Sequence, residues 1–146
     1  MEGPHPAAAS TAKLESWLDE QPHGSAPRAL REVFAAAHSA KALVAGLGDY
    51  SPYLWDLVRA DPERLLRVLR ENPESHLQAL LANIVGALSR IEDEPDAMRL
   101  LRRTKAEAAL LIAIADIGGV WPVPQVTRAL TELADCMVQA AVRFLL

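Results

Sequence analysis

The residues able to do chemistry in this sequence are few and scattered. His5, His23, His38 and His76 stand in separate segments, and no His-Glu-x-x-His or Cys-x-x-Cys spacing gathers them into a metal-ligand set. His38, flanked by Ala and Ser, reads as a solvated or packed imidazole. Cys136, the one cysteine, lies between Leu133 and Ala140 at core spacing and reads as a small buried hydrophobe. A nucleophile needs an adjacent base and a group to orient it, and none is identifiable. No Gly-x-Gly-x-x-Gly or Gly-Lys-Ser/Thr loop is present; Gly46-x-Gly48 and Gly118-Gly119 follow helical patterns, whereas a phosphate loop precedes its helix. Catalytic candidates are therefore absent from these 146 residues.

The charged residues offer more. Arg64, Arg67 and Arg70 recur every three positions, and Glu63 and Glu71, four residues either side of Arg67, are its expected partners on a solvated face. Arg99, Arg102, Arg103 and Lys105 are less compensated, with only Asp96 and Glu107 close by, so contact with a phosphate or an acidic partner stands beside a solvated face as a reading. Glu107 and Asp116 lie in or at the end of an apolar stretch. A buried carboxylate must be paired or protonated, and desolvation raises its pKa unless an Arg reaches it. The expected partner of Glu107 is Arg103, four residues earlier; Asp116 is expected to bond around the Gly118-Gly119 turn.

The elements that must position these side chains are helices. Ala supplies 26 residues and Leu 22, the strong helix formers together make 81 of 146, and aromatics are only 5%. At 51% hydrophobic the chain is globular, and its length suits one core. The fold class expected is all-α, an irregular bundle of about six to seven helices. A net charge of −4 with two Tyr and two Phe disfavours nucleic acid as a partner. The longest apolar run, Ala108 to Ala115, is too short to span a bilayer, and a single cysteine with no secretory signal leaves the cytoplasm as the default.

Prolines set the helix boundaries. Ser51-Pro52, Asp61-Pro62 and Asn72-Pro73 each pair an N-cap with Pro at the first helical position, predicting helices near 52–60, 62–71 and 73–90. Residues 1–9 read as a frayed tail, and 10–20 as a short helix that must dock through Leu14, Trp17 and Leu18. A single longer helix is expected from Pro27 to Gly46-Leu47-Gly48. After the polar turn at 92–96, a helix runs to Ile117 with a basic first part and a second part apolar on nearly every side, the mark of a central helix. Val120 to Pro124 reads as an extended connector, and a last helix starts near Pro124 or Gln125 and passes through Leu130, Leu133, Ala134, Met137, Ala141 and Leu145. The domain reading is a tail and short helix over 1–26, then a helical domain over 27–146. With no stop signal at Leu145-Leu146, the chain is expected to be cut from something longer.

Two stretches resemble a known family. Ser51-Pro52-Tyr53-Leu54-Trp55, Arg59 and Pro62-Glu63 are similar to a segment near the start of the bifunctional glutamine synthetase adenylyltransferase/adenylyl-removing enzymes. Met98-Arg99-Leu100-Leu101-Arg102-Arg103 through Glu107, Asp116-Ile117-Gly118-Gly119-Val120-Trp121-Pro122, Val126-Thr127 and Leu130 to Asp135 resemble the block that leads into that family's first nucleotidyltransferase domain, in the wording of its alphaproteobacterial members. The resemblance implies a parent enzyme that removes AMP from a glutamine synthetase tyrosine by phosphorolysis in one half and transfers AMP from ATP in the other. It further implies Mg²⁺ held by an Asp-x-Asp pair, and control by glutamine and the PII signal protein. No Asp-x-Asp occurs here, so no catalytic residue carries over; the implied site lies beyond Leu146. The expectation is a non-catalytic helical part of the adenylyl-removing half; the alternative is a free-standing helical interaction module whose match is coincidental.

Overall fold

The computed structural model describes residues 8–22 and 24–146. Among them there are eight helices: α1 (Ala8–Glu20), α2 (Ser25–Ala36), α3 (His38–Tyr50), α4 (Pro52–Ala60), α5 (Pro62–Arg70), α6 (Pro73–Leu88), α7 (Glu94–Ile117) and α8 (Val123–Leu145). The chain is all-α, and the described residues contain no strand. Most of the tail read over 1–9, together with His5 and His23, lies outside the described residues.

The proline-led starts form as their chemistry dictates. Asp61 Oδ1 accepts the backbone N–H groups of Glu63 (3.1 Å) and Arg64 (3.3 Å), Asn72 Oδ1 accepts that of Ser75 (3.1 Å), and Ser51 Oγ that of Leu54 (3.4 Å). Each cap satisfies donors that a first helical turn leaves without an intrahelical acceptor.

The helix count exceeds the expected six to seven because the long helix read from Pro27 is two. Ala37 takes an extended conformation (φ −135°, ψ 95°) between α2 and α3. The break lets each half bury its own face: α2 seats Leu30 and Phe34 against α5, while α3 turns Val44 and Leu47 toward α1 and α4. As expected, α1 docks through Leu14, Trp17 and Leu18, all buried, and Trp17 meets Trp55 of α4 edge to face at 6.0 Å.

Helix α7 runs through the middle, touching α3, α4, α5, α6 and α8. Its second half buries Ala108, Leu110, Leu111, Ile112, Ile114 and Ala115. It stops where Gly119 adopts φ 71°, a left-handed conformation that costs residues with a Cβ. Gly118 is constrained by space, since a Cβ there would stand 2.8 Å from the Ile114 carbonyl oxygen. Backbone N–H groups of Val120 and Trp121 both donate to Ala115 O, and this seats the buried Trp121.

The connector expected over Val120–Pro124 is shorter, because α8 already begins at Val123. Helix α8 carries two apolar stripes. Val126, Ala129, Leu133 and Ala140 face the core, whereas Leu130, Ala134 and Leu145, read from the sequence as one face with them, point to solvent. Cys136 is half-buried rather than fully buried, and burial pushes its thiol pKa up.

Candidate functional site

The most concentrated polar chemistry in the fold lies where α5, α6 and α7 meet. α5 presents Arg67 on the turn after the Asp61 cap. α6 presents His76, whose N–H bonds Asn72 O at 2.9 Å in the first turn. α7 supplies Glu107 at the border between its basic and apolar parts. Arg67 Nε lies 3.2 Å from Glu107 Oε1 and 3.4 Å from Oε2, and its Nη2 donates to Oε1 as well. His76 Nε2 lies 2.6 Å from Oε2. An ionised carboxylate only accepts, so Nε2 carries the proton and donates.

The Glu107 side chain is 9% exposed and that of His76 is 4%, while Arg67 reaches solvent at 43%. Glu71 Oε2 approaches His76 Nδ1 to 3.3 Å without hydrogen-bond geometry, so it adds charge beside the ring and leaves Nδ1 unbonded. Burial pushes the Glu107 carboxyl upward, but the hydrogen bonds from Arg67 and His76 and the favourable charge interactions beside them together outweigh it, and its pKa falls below the ordinary carboxylate value. The same bond raises Arg67. Glu107 is thus an ionised, multiply bonded carboxylate that joins three helices.

This arrangement corrects two expectations. Glu107 pairs with Arg67 and His76, 40 and 31 residues away in sequence, and not with Arg103. Arg67 stays exposed as expected, but its carboxylate partner is Glu107 and neither Glu63 nor Glu71, whereas Arg64 on the same helix leaves the solvated face and is buried with its guanidinium on Leu57 O at 3.3 Å. The remaining candidates do not join the cluster. Arg99 pairs with Asp96 at 2.9 Å on the surface of α7. Arg102, Arg103 and Lys105 are exposed and make no ion pair among the described residues. Asp116 is exposed; its carbonyl accepts the Gly119 N–H at 3.1 Å, but its carboxylate bonds nothing around the turn. Sequence reasoning named Arg67 and His76 but brought neither to Glu107. The only local signal was their position among Leu65, Leu66, Val68 and Leu77.

Among the described residues, no three His, Cys, Asp or Glu side chains stand close enough to hold a metal ion, and no helix is long and apolar enough to cross a membrane. A pocket of about 330 Å³ between α1, α2 and α3 has its charges matched in pairs, Glu15 with Lys41 at 2.6 Å and Asp19 with Arg31 at 3.2 Å.

Fold and site together define an all-α domain locked by an internal ion-pair cluster. Residues 41–146 match the family model described as glutamate-ammonia ligase adenylyltransferase. Bifunctional glutamine synthetase adenylyltransferase/adenylyl-removing enzymes from Bradyrhizobium diazoefficiens and Xanthobacter autotrophicus are 50% and 43% identical to it, each over 99% of this chain and 15% of their own. The enzyme of the same description from Rhodopseudomonas palustris strain HaA2 is 47% identical over 92% of this chain and 14% of its own. The chain belongs to the glutamate-ammonia ligase adenylyltransferase family and spans about 15% of the length of these relatives. Identity at this level over nearly the whole chain excludes a coincidental match. No solved structure matches significantly.

Proposed function

We propose that this chain is the helical N-terminal part of the adenylyl-removing half of an enzyme that adenylylates and deadenylylates glutamine synthetase, and that it packs and positions without doing chemistry itself. In this reading a cytoplasmic parent enzyme holds Mg²⁺ and uses ATP and phosphate in nucleotidyltransferase domains outside residues 1–146. Glutamine synthetase and the PII protein are the partners of the whole enzyme.

The observation that supports a positioning role is the contrast between two sets of arginines. Arg67 is consumed by Glu107, while Arg102 and Arg103 stand exposed, without ion pairs among the described residues, on the central helix. A fixed cation that no internal carboxylate neutralises suits a phosphate or an acidic surface. The test is Arg102→Ala with Arg103→Ala in a full-length family enzyme carrying this segment. A peripheral charge contact of about 1 kcal/mol makes roughly a fivefold change in rate. Phosphorolytic deadenylylation of glutamine synthetase is expected to fall by at least that factor at unchanged melting temperature. Unchanged activity and stability would refute the role.

A further inference from the structure

Helix α8 shows solvent a second apolar face, which the described elements leave open except at Ala141, half-buried against the small core cluster of α6, α7 and α8. Thr127, Leu130, Ala134, Val138, Ala141 and Leu145 follow one another at steps of three or four, so they form a nearly straight line on one side of the helix. Leu130 is 50% exposed, Val138 63% and Leu145 68%. The Thr127 hydroxyl donates to Val123 O of its own helix at 3.1 Å, so its one polar side-chain atom is already bonded. Large Leu130, Val138 and Leu145 alternate with small Thr127, Ala134 and Ala141, the knob-and-hole relief that an opposing helix fills. At Leu145 the stripe runs into an open groove of about 740 Å³ whose apolar lining includes Val85, Leu88, Ile91 and Phe144 and whose charged lining includes Glu92 and Arg143, where the smaller core cluster between α6, α7 and α8 is left open.

We infer that this stripe and groove are the seat of an apolar helix from the part of the family polypeptide that lies outside these 146 residues. The inference rests on the reading of the chain as one portion of a larger enzyme. Two observations favour that occupant. The relatives extend far beyond the matched portion, which is only 15% of their length, so ample chain of the same molecule is at hand. A second copy of this chain is the poorer fit: the stripe is about 27 Å long and about 10 Å wide. Stripe on stripe therefore buries about 540 Å² in total, well under the roughly 1,200 Å² of a stable complex. A segment of the same polypeptide docks at an effective concentration near the millimolar range and can fill the groove too, so it needs less area.

The experiment measures thiol labelling of Leu130→Cys, Val138→Cys and Gln139→Cys, each with Cys136→Ala. Two hosts are compared: the 146-residue chain, and a full-length family enzyme whose matching segment is replaced by these residues. Labelling is followed by mass spectrometry on the peptide bearing the new cysteine. Gln139 is exposed off the stripe, on the polar side of α8, and serves as the control. All three are expected to react quickly in the short chain; in the long enzyme the thiols at 130 and 138 should slow at least tenfold while that at 139 does not. Equal rates at all three positions in the long enzyme would overturn the inference. So would protection at 130 and 138 in the short chain that grows with its concentration, because a second copy would then be the occupant. The outcome is independent of the Arg102 and Arg103 activity test, so protected thiols beside unchanged activity would refute the positioning role and leave the docking seat standing.

Discussion

Cutting the Arg67–Glu107 pair should show strong non-additivity in a double-mutant cycle. Arg67→Met leaves a carboxylate that is 9% exposed with His76 as its one remaining donor. Stranding a buried charge in this way costs about 3–5 kcal/mol, and the His76 bond places the cost near 3. Glu107→Leu leaves an arginine 43% exposed, free to turn to water, and its main penalty is the buried Nε2–H of His76 with no acceptor. An unsatisfied buried donor costs about 1–3 kcal/mol, and lost pairing brings the total to about 2–3. The double variant strands no carboxylate and should cost only about 2 kcal/mol, against a sum of about 5–6 for the singles. Urea denaturation of the four proteins gives the coupling energy, expected near 3 kcal/mol. The larger single loss should lower the melting temperature by roughly 6–12 °C at this chain length. Additivity within about 0.5 kcal/mol would mean that the pair is not coupled, and the reading of Glu107 as a three-helix clamp would fail.

Two further outcomes follow from the same chemistry. The Glu107 carboxyl titrates lower in the folded chain than in the unfolded one, so its stabilisation is complete above the unfolded value of about 4.5 and is lost as pH falls through the folded value. The stability gap between wild type and Glu107→Gln should therefore hold from neutral pH to about 5 and shrink steadily below it in acid titrations followed by circular dichroism; a gap independent of pH down to about 2 would contradict the assignment. Gly119→Ala forces a Cβ into a φ of 71° and should cost about 1–2 kcal/mol, read as a lower urea midpoint at unchanged slope, whereas no measurable loss would show that the turn relaxes freely.

The parts of this fold legible in the sequence are those whose causes are local. Asp61-Pro62 and Asn72-Pro73 start helices because a side-chain oxygen and a fixed φ act within three residues, and the structure has both caps bonded as expected. The break at Ala37 carries no such mark: the residue is an alanine within a run of alanines, and it leaves helical geometry only because α2 and α3 have different neighbours to pack against. The same limit hid the clamp. An i, i+4 rule offers Arg103 for Glu107, but burial removes Glu107 to a place only Arg67 and His76 can reach, and that place is set by how three helices cross. On α8 the difficulty was of another kind. The helix is apolar along two stripes, and periodicity reports that a stripe exists without saying which one finds a partner.

The position of Glu107 on α7 also bears on what the basic turn can do. Ala97, Leu101, Thr104 and Glu107 fall on the buried side of the helix at spacings of four and three, so Arg99, Arg102 and Arg103 necessarily fall on the outer side. The ionic clamp lies four residues beyond Arg103, about 6 Å along the axis, and past it the helix is enclosed. The helix under these cations is thereby pinned on one side by an ion pair to α5 and a hydrogen bond to α6, and on its own buried face by Leu101 and Thr104. A cation on a helix held this way is presented at a fixed position, which favours recognition of a fixed anionic group over loose attraction to a charged surface. Glu107 thus serves the proposed positioning role at a distance: it pairs with Arg67 across the α5–α7 contact, and in doing so it holds the frame from which Arg102 and Arg103 project.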